Sequence, residues 1–237
     1  CANYMLHKPL LAKMADYLKG TGRADLPELA SANRAHLEAD PEVLEAPAWF
    51  FDEVVEIDLS ALEPQIVGPH TPDLARAVSA MPAEVAAKGY PAELRAALIG
   101  SCTNSSYEDI SRAASLARQA LRAGLKAKVP LFISPGSERV FKTIERDGFL
   151  ETFQQMGAVV LSNACGPCIG QWHRTDALPG RADSIISTFN RNFPGRNDGL
   201  AETHSFLAGP EVVMAYAFTG TFAVDPIGGM LEGGFRF

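Results

Sequence analysis

The chain has 237 residues, more than one typical domain of about 150 residues and fewer than two. Hydrophobic residues make up 47% of it and charged residues 21%, proportions that exclude a disordered or fibrous protein. The formal net charge of −7 argues against general binding to nucleic acid or to an anionic membrane. An anionic ligand would therefore have to be bound by local basic residues.

The sequence has no apolar run that approaches the ~18 residues of a membrane-spanning helix. The longest obvious run, residues 212–218, has seven residues, so we expect no membrane partner. Four cysteines are too few for a disulfide scaffold in a chain of this length, which favours a reducing compartment. The chain begins with Cys1 and not with Met, so we expect it to be processed or cut from something longer.

The first 91 residues contain nine of the sixteen prolines, and we expect them to form an irregular lead-in that packs on the main domain. Within this lead-in, residues 10–18 predict a helix. Residues 52–59 alternate between polar and apolar side chains, which predicts a short, half-exposed strand at a sheet edge.

From about Leu94 onward, short apolar runs alternate with helical patterns, which is typical of βα units and a parallel sheet. Strands are predicted at residues 94–100, 129–134, 158–162 and 183–189. Helices are predicted at residues 110–121, 137–148, 149–156 and 209–218, with Ser137 as an N-cap. The expected fold is a three-layer α/β/α domain with a mostly parallel sheet over residues 92–227, followed by the start of a linker over residues 228–237.

Small, polar or metal-binding residues follow three of the predicted strands. These segments are residues 101–104, 163–168 and 190–196. In open α/β sheets, ligands bind in the crevice beyond the carboxyl ends of the strands. We therefore expect the three segments to converge in space.

Cys165 and Cys168 form a Cys-x-x-Cys pair that fits a redox dithiol, half of a zinc site or part of an iron–sulfur cluster. A redox pair would leave Cys102 idle, as an ordinary buried cysteine, and zinc would need a fourth ligand such as His173 or His204. The hydroxyl- and amide-rich turn around Cys102 can hydrogen-bond to sulfide or thiolate, which favours a cluster. Three thiolates on a four-iron cluster leave one iron open to substrate as a Lewis acid.

Arg191 and Arg196 lie five residues apart in the third segment, which also contains Asn190. A guanidinium group holds a carboxylate through two parallel hydrogen bonds, so two arginines beside a cluster would select an anionic substrate. The alternative is that both are surface arginines on a solvated loop. Their position directly after a strand favours binding.

Several long stretches resemble the aconitase family, and specifically its third domain. In order, they are IGSCTNSSYEDI (residues 99–110), PGSERVFKTIERDG (135–148), SNACGPCIGQW (162–172), STFNRNFPGRNDG (187–199) and ETHSFLAGPEVV (202–213). The resemblance runs from about Tyr17 to Pro226. It implies a fragment that lacks the other domains of the family.

The resemblance implies that Cys102, Cys165 and Cys168 bind a [4Fe-4S] cluster. Arg191, Arg196 and, more weakly, Asn190 would contact the substrate carboxylates. The implied reaction is the hydro-lyase interconversion of citrate and isocitrate through cis-aconitate. Since the acid–base residues of the family come from other domains, no catalytic residue is assigned to this chain, and it is expected to be inactive alone.

Alternatives remain within and outside the family. A homoaconitase or an isopropylmalate isomerase would carry out similar chemistry on another substrate, and a non-catalytic module would use the cysteines for zinc or for nothing. RNA binding is a poor fit to the negative charge. The resemblance further implies a monomeric parent whose partners are a small tricarboxylate and the remaining domains. Its compartment would be the mitochondrial matrix in a eukaryote or the cytoplasm in a bacterium.

Overall fold

The computed structural model describes residues 8–229, with side chains described from residue 14 onward. Cys1 and residues 230–237, which include most of the expected linker, lie outside the described residues. The chain divides into two compact units, Cys1–Leu62 and Glu63–Phe237. The domain limits expected after residues 91 and 227 stay a prediction.

The first unit consists of short helices and irregular segments. In its described part the elements are α1 (Lys8–Gly20), α2 (Asp25–Ala32), α3 (Arg34–Leu37), α4 (Pro41–Glu45) and a 3-10 turn (Pro47–Trp49). Helix α1 confirms the helix predicted at residues 10–18. The strand predicted at residues 52–59 is wrong: these residues have no regular secondary structure, and the described part of the first unit contains no strand with which they could pair.

The second unit contains a seven-stranded sheet and five α-helices among the described residues. The elements are β1 (Gln65–Val67), β2 (Ala75–Ala77), α5 (Met81–Lys88), β3 (Leu94–Ile99), α6 (Tyr107–Arg122), β4 (Leu131–Ile133), α7 (Glu138–Arg146), α8 (Phe149–Gln155), β5 (Val159–Val160), β6 (Asp183–Ser187), β7 (Thr203–Ala208) and α9 (Pro210–Thr219). The strands and helices predicted beyond Leu94 are confirmed. Strands β1, β2 and β7 and helix α5 were not predicted.

The sheet has the order β2-β1-β7-β6-β3-β4-β5. Strands β7, β6, β3, β4 and β5 run parallel, and β1 pairs antiparallel with both β2 and β7. Helices pack against this sheet, and the expected α/β class with a mostly parallel sheet is confirmed. Because β3, β5 and β6 are parallel, the segments that follow them leave the sheet at the same edge.

The two faces of the sheet are covered differently. Helices α5, α6, α8 and α9 contribute to the large core on one face, where α6 presents buried alanines and α9 is buried along most of its length. On the other face, Ala96, Leu98, Ile185 and Phe189 form a smaller cluster. Cys168 and Trp172, from the loop after β5, pack on this smaller cluster. The core therefore holds one of the predicted site cysteines directly against the sheet.

Local signals start the helices beside the candidate site. Ser106 and Asp109 form a reciprocal capping box at the start of α6, and the Ser137 side chain accepts a 3.2 Å hydrogen bond from the backbone N–H of Val140 at the start of α7. The Ser137 N-cap is thus confirmed.

Of the described helices, none combines the length and apolar character needed to cross a membrane.

Candidate metal and substrate site

The three polar segments meet at a cavity of about 150 Å³ on the carboxyl edge of the sheet. The predicted site side chains that line it are Cys102, Cys165, Cys168, Asn190, Arg191 and Arg196. Cys102 and Cys165 are exposed, and Cys168 is half-buried. The three cysteines and the two arginines expected to converge are therefore brought together by the topology of the sheet.

Gly100 begins the segment that carries Cys102, and only glycine fits there. Its φ of +99° is disfavoured for other residues, and a Cβ at this position would clash with the Ser134 carbonyl oxygen of the neighbouring segment. The Gly100 backbone N–H donates a 2.8 Å hydrogen bond to the Thr188 hydroxyl at the end of β6. The chain thus turns sharply out of β3 while it stays bonded to β6.

Ser101 shapes the turn that presents Cys102. Its buried hydroxyl accepts 3.2 Å hydrogen bonds from the backbone N–H groups of Thr103 and Asn104. The Asn104 side-chain amide in turn donates to the Thr188 carbonyl oxygen. These bonds hold the turn in one shape and leave the Cys102 thiol pointing into accessible space.

The Cys165–Cys168 segment is a tight 3-10 turn. Residues Pro167–Ile169 form the turn, Pro167 is buried, and the backbone N–H groups of Ile169 and Gln171 both donate to the Gly166 carbonyl oxygen at 3.1 Å. Burial raises the pKa of the Cys168 thiol, the nearby Arg196 charge opposes that shift, and Cys102 and Cys165 add to it. The pKa of the Cys168 thiol therefore depends on its burial, on the Arg196 guanidinium and on the other two thiols.

Arg196 is held beside the thiols by its own loop. Its guanidinium lies over the Phe193 ring, 5.3 Å from the ring centroid, and its buried Nε has no hydrogen-bond partner among the described residues. The side chain of the next residue, Asn197, donates a 3.0 Å hydrogen bond to the Pro167 carbonyl oxygen. The backbone of Arg196 also approaches Gly170 so closely that a Cβ there would lie 3.3 Å from the Arg196 carbonyl oxygen.

Asn190 and Arg191 are exposed at the cavity, whereas Asn192 is buried and anchors the loop. The Asn192 amide donates to the carbonyl oxygens of Thr71, at 3.1 Å, and of Ser205, at 3.3 Å. Asn192 therefore anchors this part of the loop, while Asn190 and Arg191, which precede it, are exposed to solvent.

A buried ion cluster lies at the opposite edge of the sheet, where β6 and β7 begin. The Arg174 guanidinium lies 2.8 Å from Asp183 Oδ1, 3.1 Å from Asp198 Oδ2 and 2.9 Å from Asp176 Oδ2. Burial alone would lower the pKa of Arg174, but the bonds to Asp183 and Asp176 outweigh it and raise that pKa. Since Arg174 follows the cysteine segment and Asp198 follows Arg196, this cluster ties the far ends of the two loops together.

The histidines proposed as fourth zinc ligands do not reach the cavity. His173 is exposed, and His204 lies against the His70 ring with 4.7 Å between ring centroids; neither lines the cavity. Among the described residues, no three Cys, His, Asp or Glu side chains are arranged to hold a single metal ion.

Thr188 and Asn197 are the residues of this region that the sequence did not identify. Both act by side-chain hydrogen bonds to backbone groups of another loop, Thr188 with the Cys102 turn and Asn197 with the Cys165–Cys168 turn. Both could have been identified from their position in the segment after β6, next to the polar residues that the sequence analysis named.

The fold and the cavity define an α/β domain with a site of three thiols and two guanidinium groups at the carboxyl edge of its sheet. Residues 8–220 match the family model described as "Aconitase family (aconitate hydratase)". The chain belongs to the aconitase family.

The chain is similar to curated relatives from algae and fungi. It is 50% identical over 225 residues to the mitochondrial aconitate hydratase of Gracilaria gracilis, which covers 95% of this chain and 28% of that protein. It is 49% identical over 220 residues to the mitochondrial aconitate hydratase of Saccharomyces cerevisiae, with 92% of this chain and 28% of that protein covered. The chain thus spans about 28% of the length of these relatives.

A solved structure, the holo-form of aconitase X from Thermococcus kodakaraensis, matches 46% of this chain and 29% of its own chain. The identity is 19% and the TM-score 0.32.

Proposed function

We propose that this chain is the cluster-binding part of an aconitate hydratase. The observation that carries the proposal is the meeting of Cys102, Cys165 and Cys168 with Arg191 and Arg196 around one cavity. The sequence separation between Cys102 and the other two cysteines is large, so their meeting depends on the parallel order of β3 and β5. Thiolates suit a cationic iron–sulfur core, and guanidinium groups suit an anionic substrate.

The donor set fits a [4Fe-4S] cluster better than a single ion. Cysteine thiolates are the usual protein ligands of such clusters, and neither His173 nor His204, the candidate fourth zinc ligands, lines the cavity. The unpartnered Nε of Arg196, buried beside the thiols, adds positive charge where thiolates would need it. When bound through three thiolates, the cluster would supply an iron without a protein ligand, which acts as a Lewis acid towards a substrate hydroxyl.

Arg191 and Arg196 would bind and orient the substrate. Both guanidinium groups reach the cavity from one loop, so they can hold two carboxylates of a tricarboxylate at a set distance from the thiols. Asn190 would add an amide hydrogen bond. Asn197 and Asn192 fix the loop on either side and keep the guanidinium of Arg196 beside Cys168.

The proton transfers of the reaction would need groups that the described lining of the cavity does not supply. The cavity is lined by thiols, hydroxyls, amides and guanidinium groups, and none of its described lining residues is an Asp, Glu or His. We therefore propose that the parent enzyme interconverts citrate and isocitrate by dehydration and rehydration, with its acid–base groups supplied by the rest of the polypeptide. This chain alone would be inactive.

The mitochondrial names of the relatives favour the matrix as the compartment if the source is a eukaryote.

A hybrid enzyme tests this function. In it, the stretch of the Saccharomyces cerevisiae relative that matches this chain is replaced by this chain, and citrate dehydration is measured after anaerobic loading with iron and sulfide. We expect the hybrid to be active, and Cys102→Ser, Cys165→Ser and Cys168→Ser each to abolish activity. Cys1→Ser is the matched control and leaves it intact. A folded, iron-loaded hybrid without citrate dehydration would contradict the proposal.

A further inference from the structure

Two histidine rings from different parts of the second unit pack against each other. His70 lies in residues 68–74, which we call the β1–β2 loop, and His204 lies on β7. Their ring centroids are 4.7 Å apart and the ring planes are 81° to each other, as in an edge-to-face pair. His70 has a φ of +67°, which among the described residues is the only positive φ outside glycine. The loop thus adopts an uncommon backbone conformation with its ring against β7.

The buried side chain of Asn192 joins the same two segments a second time. Its amide donates to the carbonyl oxygens of Thr71, at 3.1 Å, and of Ser205, at 3.3 Å. Thr71 directly follows His70, and Ser205 directly follows His204. The ring contact and the two amide bonds therefore span one gap, between the β1–β2 loop and β7. A movement of the loop away from β7 would break the ring contact and the bond to Thr71 together.

Asn192 also belongs to the loop that carries the substrate-binding arginines, residues 190–196, which we call the arginine loop. A Cβ at Gly68 would lie 2.6 Å from the Asn192 amide nitrogen, so the β1–β2 loop and Asn192 are in direct contact. The preceding residue, Arg191, is exposed, and no hydrogen bond or ion pair joins its side chain to another described residue. The position of Arg191 therefore depends on the backbone that Asn192 anchors.

A positive charge on either histidine ring is incompatible with this packing. In both rings Nδ1 is buried and has no hydrogen-bond partner among the described residues. A neutral ring can carry its single proton on Nε2, whereas a protonated ring has an N–H group at both nitrogens. The new N–H at Nδ1 would be a buried charged donor without an acceptor, which is destabilising. Two charged rings in contact would also repel each other.

The surrounding groups leave the neutral form of the pair favoured. Charged or titratable groups on the neighbouring elements include Asp73, Arg76, Glu84, Tyr90 and Asp183. Of these, Asp183 favours the charged form of His204, but its carboxylate is bound to Arg174. Burial lowers the pKa of both histidines, and the His70 charge lowers that of His204 further. Both rings are therefore neutral at pH 7.

We propose that the His70–His204 pair positions the arginine loop, and that protonation of the pair releases it. A charged ring leaves its enclosed site, the β1–β2 loop moves off β7, and the Asn192 amide loses its bond to Thr71. Citrate then binds more weakly in mildly acidic solution, because Arg191 has lost its fixed backbone. Both histidines are positioning residues, since neither lines the cavity. The effect on citrate rests on the proposed function, whereas the coupling of the histidines to Asn192 does not.

NMR of the 237-residue chain without a cluster tests the coupling. As the pH falls from about 7 to about 5, across the ordinary histidine pKa of about 6.5, the signal of the Asn192 side-chain amide should move towards that of a solvent-exposed amide. The midpoint of this movement should equal that of the His70 ring titration. His70→Asn removes the ring and tolerates a positive φ, and it should abolish the movement. His36→Asn, at an exposed residue of α3, is the matched control and keeps it.

The KM for citrate of the hybrid with the Saccharomyces cerevisiae relative tests the consequence for binding. From about pH 7 to the midpoint of the His70 titration, we expect this KM to rise about twofold more in the hybrid than in its His70→Asn variant, because half of the pairs are then protonated. The kcat of both should change equally. The comparison cancels the effect of pH on citrate itself and on the other groups of the enzyme.

Either of two results would overturn the proposal. One is an Asn192 amide signal that stays constant in the folded chain while His70 titrates. The other is an equal change of KM with pH in the hybrid and in its His70→Asn variant. A hybrid without citrate dehydration would count against the proposed function, and the NMR measurement would then decide the coupling by itself. If His70→Asn does not fold, His70→Gln takes its place in both measurements.

Discussion

The side-chain amide of Asn197 donates a 3.0 Å hydrogen bond to the carbonyl oxygen of Pro167. Pro167 lies between Cys165 and Cys168, and Asn197 directly follows Arg196. One buried bond therefore sets the position of a guanidinium group relative to two thiols. The same two loops are joined again at their far ends by the ion pair of Arg174 with Asp198.

Removal of the Asn197 bond should loosen the site. We expect Asn197→Ala to lower the free energy of unfolding by about 1–3 kcal/mol, because the Pro167 carbonyl oxygen loses a buried donor. Urea unfolding measures this change. Asn163→Ala, at an exposed residue of the cysteine loop, is the control and should change stability by less than about 0.5 kcal/mol. Equal effects of the two substitutions would contradict this role of Asn197.

Gly100 should tolerate no side chain. Gly100→Ala adds the strain of a positive φ, about 1–2 kcal/mol, to a steric clash with the Ser134 carbonyl oxygen that costs a further ~1–3 kcal/mol. Gly157→Ala separates the two effects, because Gly157 has a φ of +85° but no atom within 4 Å of an added Cβ. Thermal unfolding of both variants should show the larger loss at Gly100. A loss at Gly157 as large as that at Gly100 would mean that backbone strain alone matters.

The Arg174 cluster should be sensitive to loss of its cation. Arg174→Met leaves the carboxylate of Asp198, 1% exposed, without its counter-ion, and leaves that of Asp183, 4% exposed, with only the more distant and exposed Arg181 at 4.0 Å. We expect a destabilisation of about 3–5 kcal/mol in urea unfolding. Arg112→Met breaks exposed ion pairs with Glu108 and Glu211 and should cost about 0–1 kcal/mol. If Arg174→Met proved as mild as Arg112→Met, the cluster would not stabilise the fold.

Stability should fall in mildly acidic solution because of His70 and His204. Burial lowers the pKa of both below the ordinary value of 6.5, and the His70 charge lowers that of His204 further, against a weaker opposing effect of Asp183. The unfolded chain therefore binds more protons than the folded chain just below pH 6.5. The free energy of unfolding should not change with pH above about pH 7. It should decrease as the pH falls from 6.5 towards the lowered pKa values of His70 and His204.

His204→Gln tests the origin of this decrease, because it removes one of the two titrating rings. We expect the variant to lose less stability than the parent chain between pH 7 and pH 5, an interval that brackets the ordinary histidine pKa of about 6.5. His36→Gln, at an exposed residue of α3, should keep the parent's pH dependence. The interpretation fails if the two substitutions change the pH dependence equally.

The sequence predicted those parts of the fold that depend on local signals. Strands β3, β4 and β6 are short apolar runs between turns, and the Ser137 cap follows from its position before a helical pattern. The convergence of Cys102, Cys165 and Cys168 was predictable because parallel strands end at one edge of a sheet. These features need no knowledge of long-range contacts beyond the order of the elements.

Features that depend on distant partners were missed or wrong. Residues 52–59 have the pattern of a strand but no described neighbour to pair with, and the pattern alone cannot supply one. Strand β7 was not predicted because its half-polar stretch is strand-like only when paired with β6 and β1. Asn197 and Thr188 contribute through bonds to loops about 30 and 90 residues away, which no local pattern reveals.

Three thiols of this chain are proposed to hold a four-iron cluster, and measurement of iron and acid-labile sulfide after anaerobic reconstitution of the 237-residue chain tests this claim. We expect about four irons and four sulfides per chain, retained in Cys1→Ser and lost in Cys102→Ser. One zinc per chain without labile sulfide, or full cluster content in Cys102→Ser, would contradict the claim.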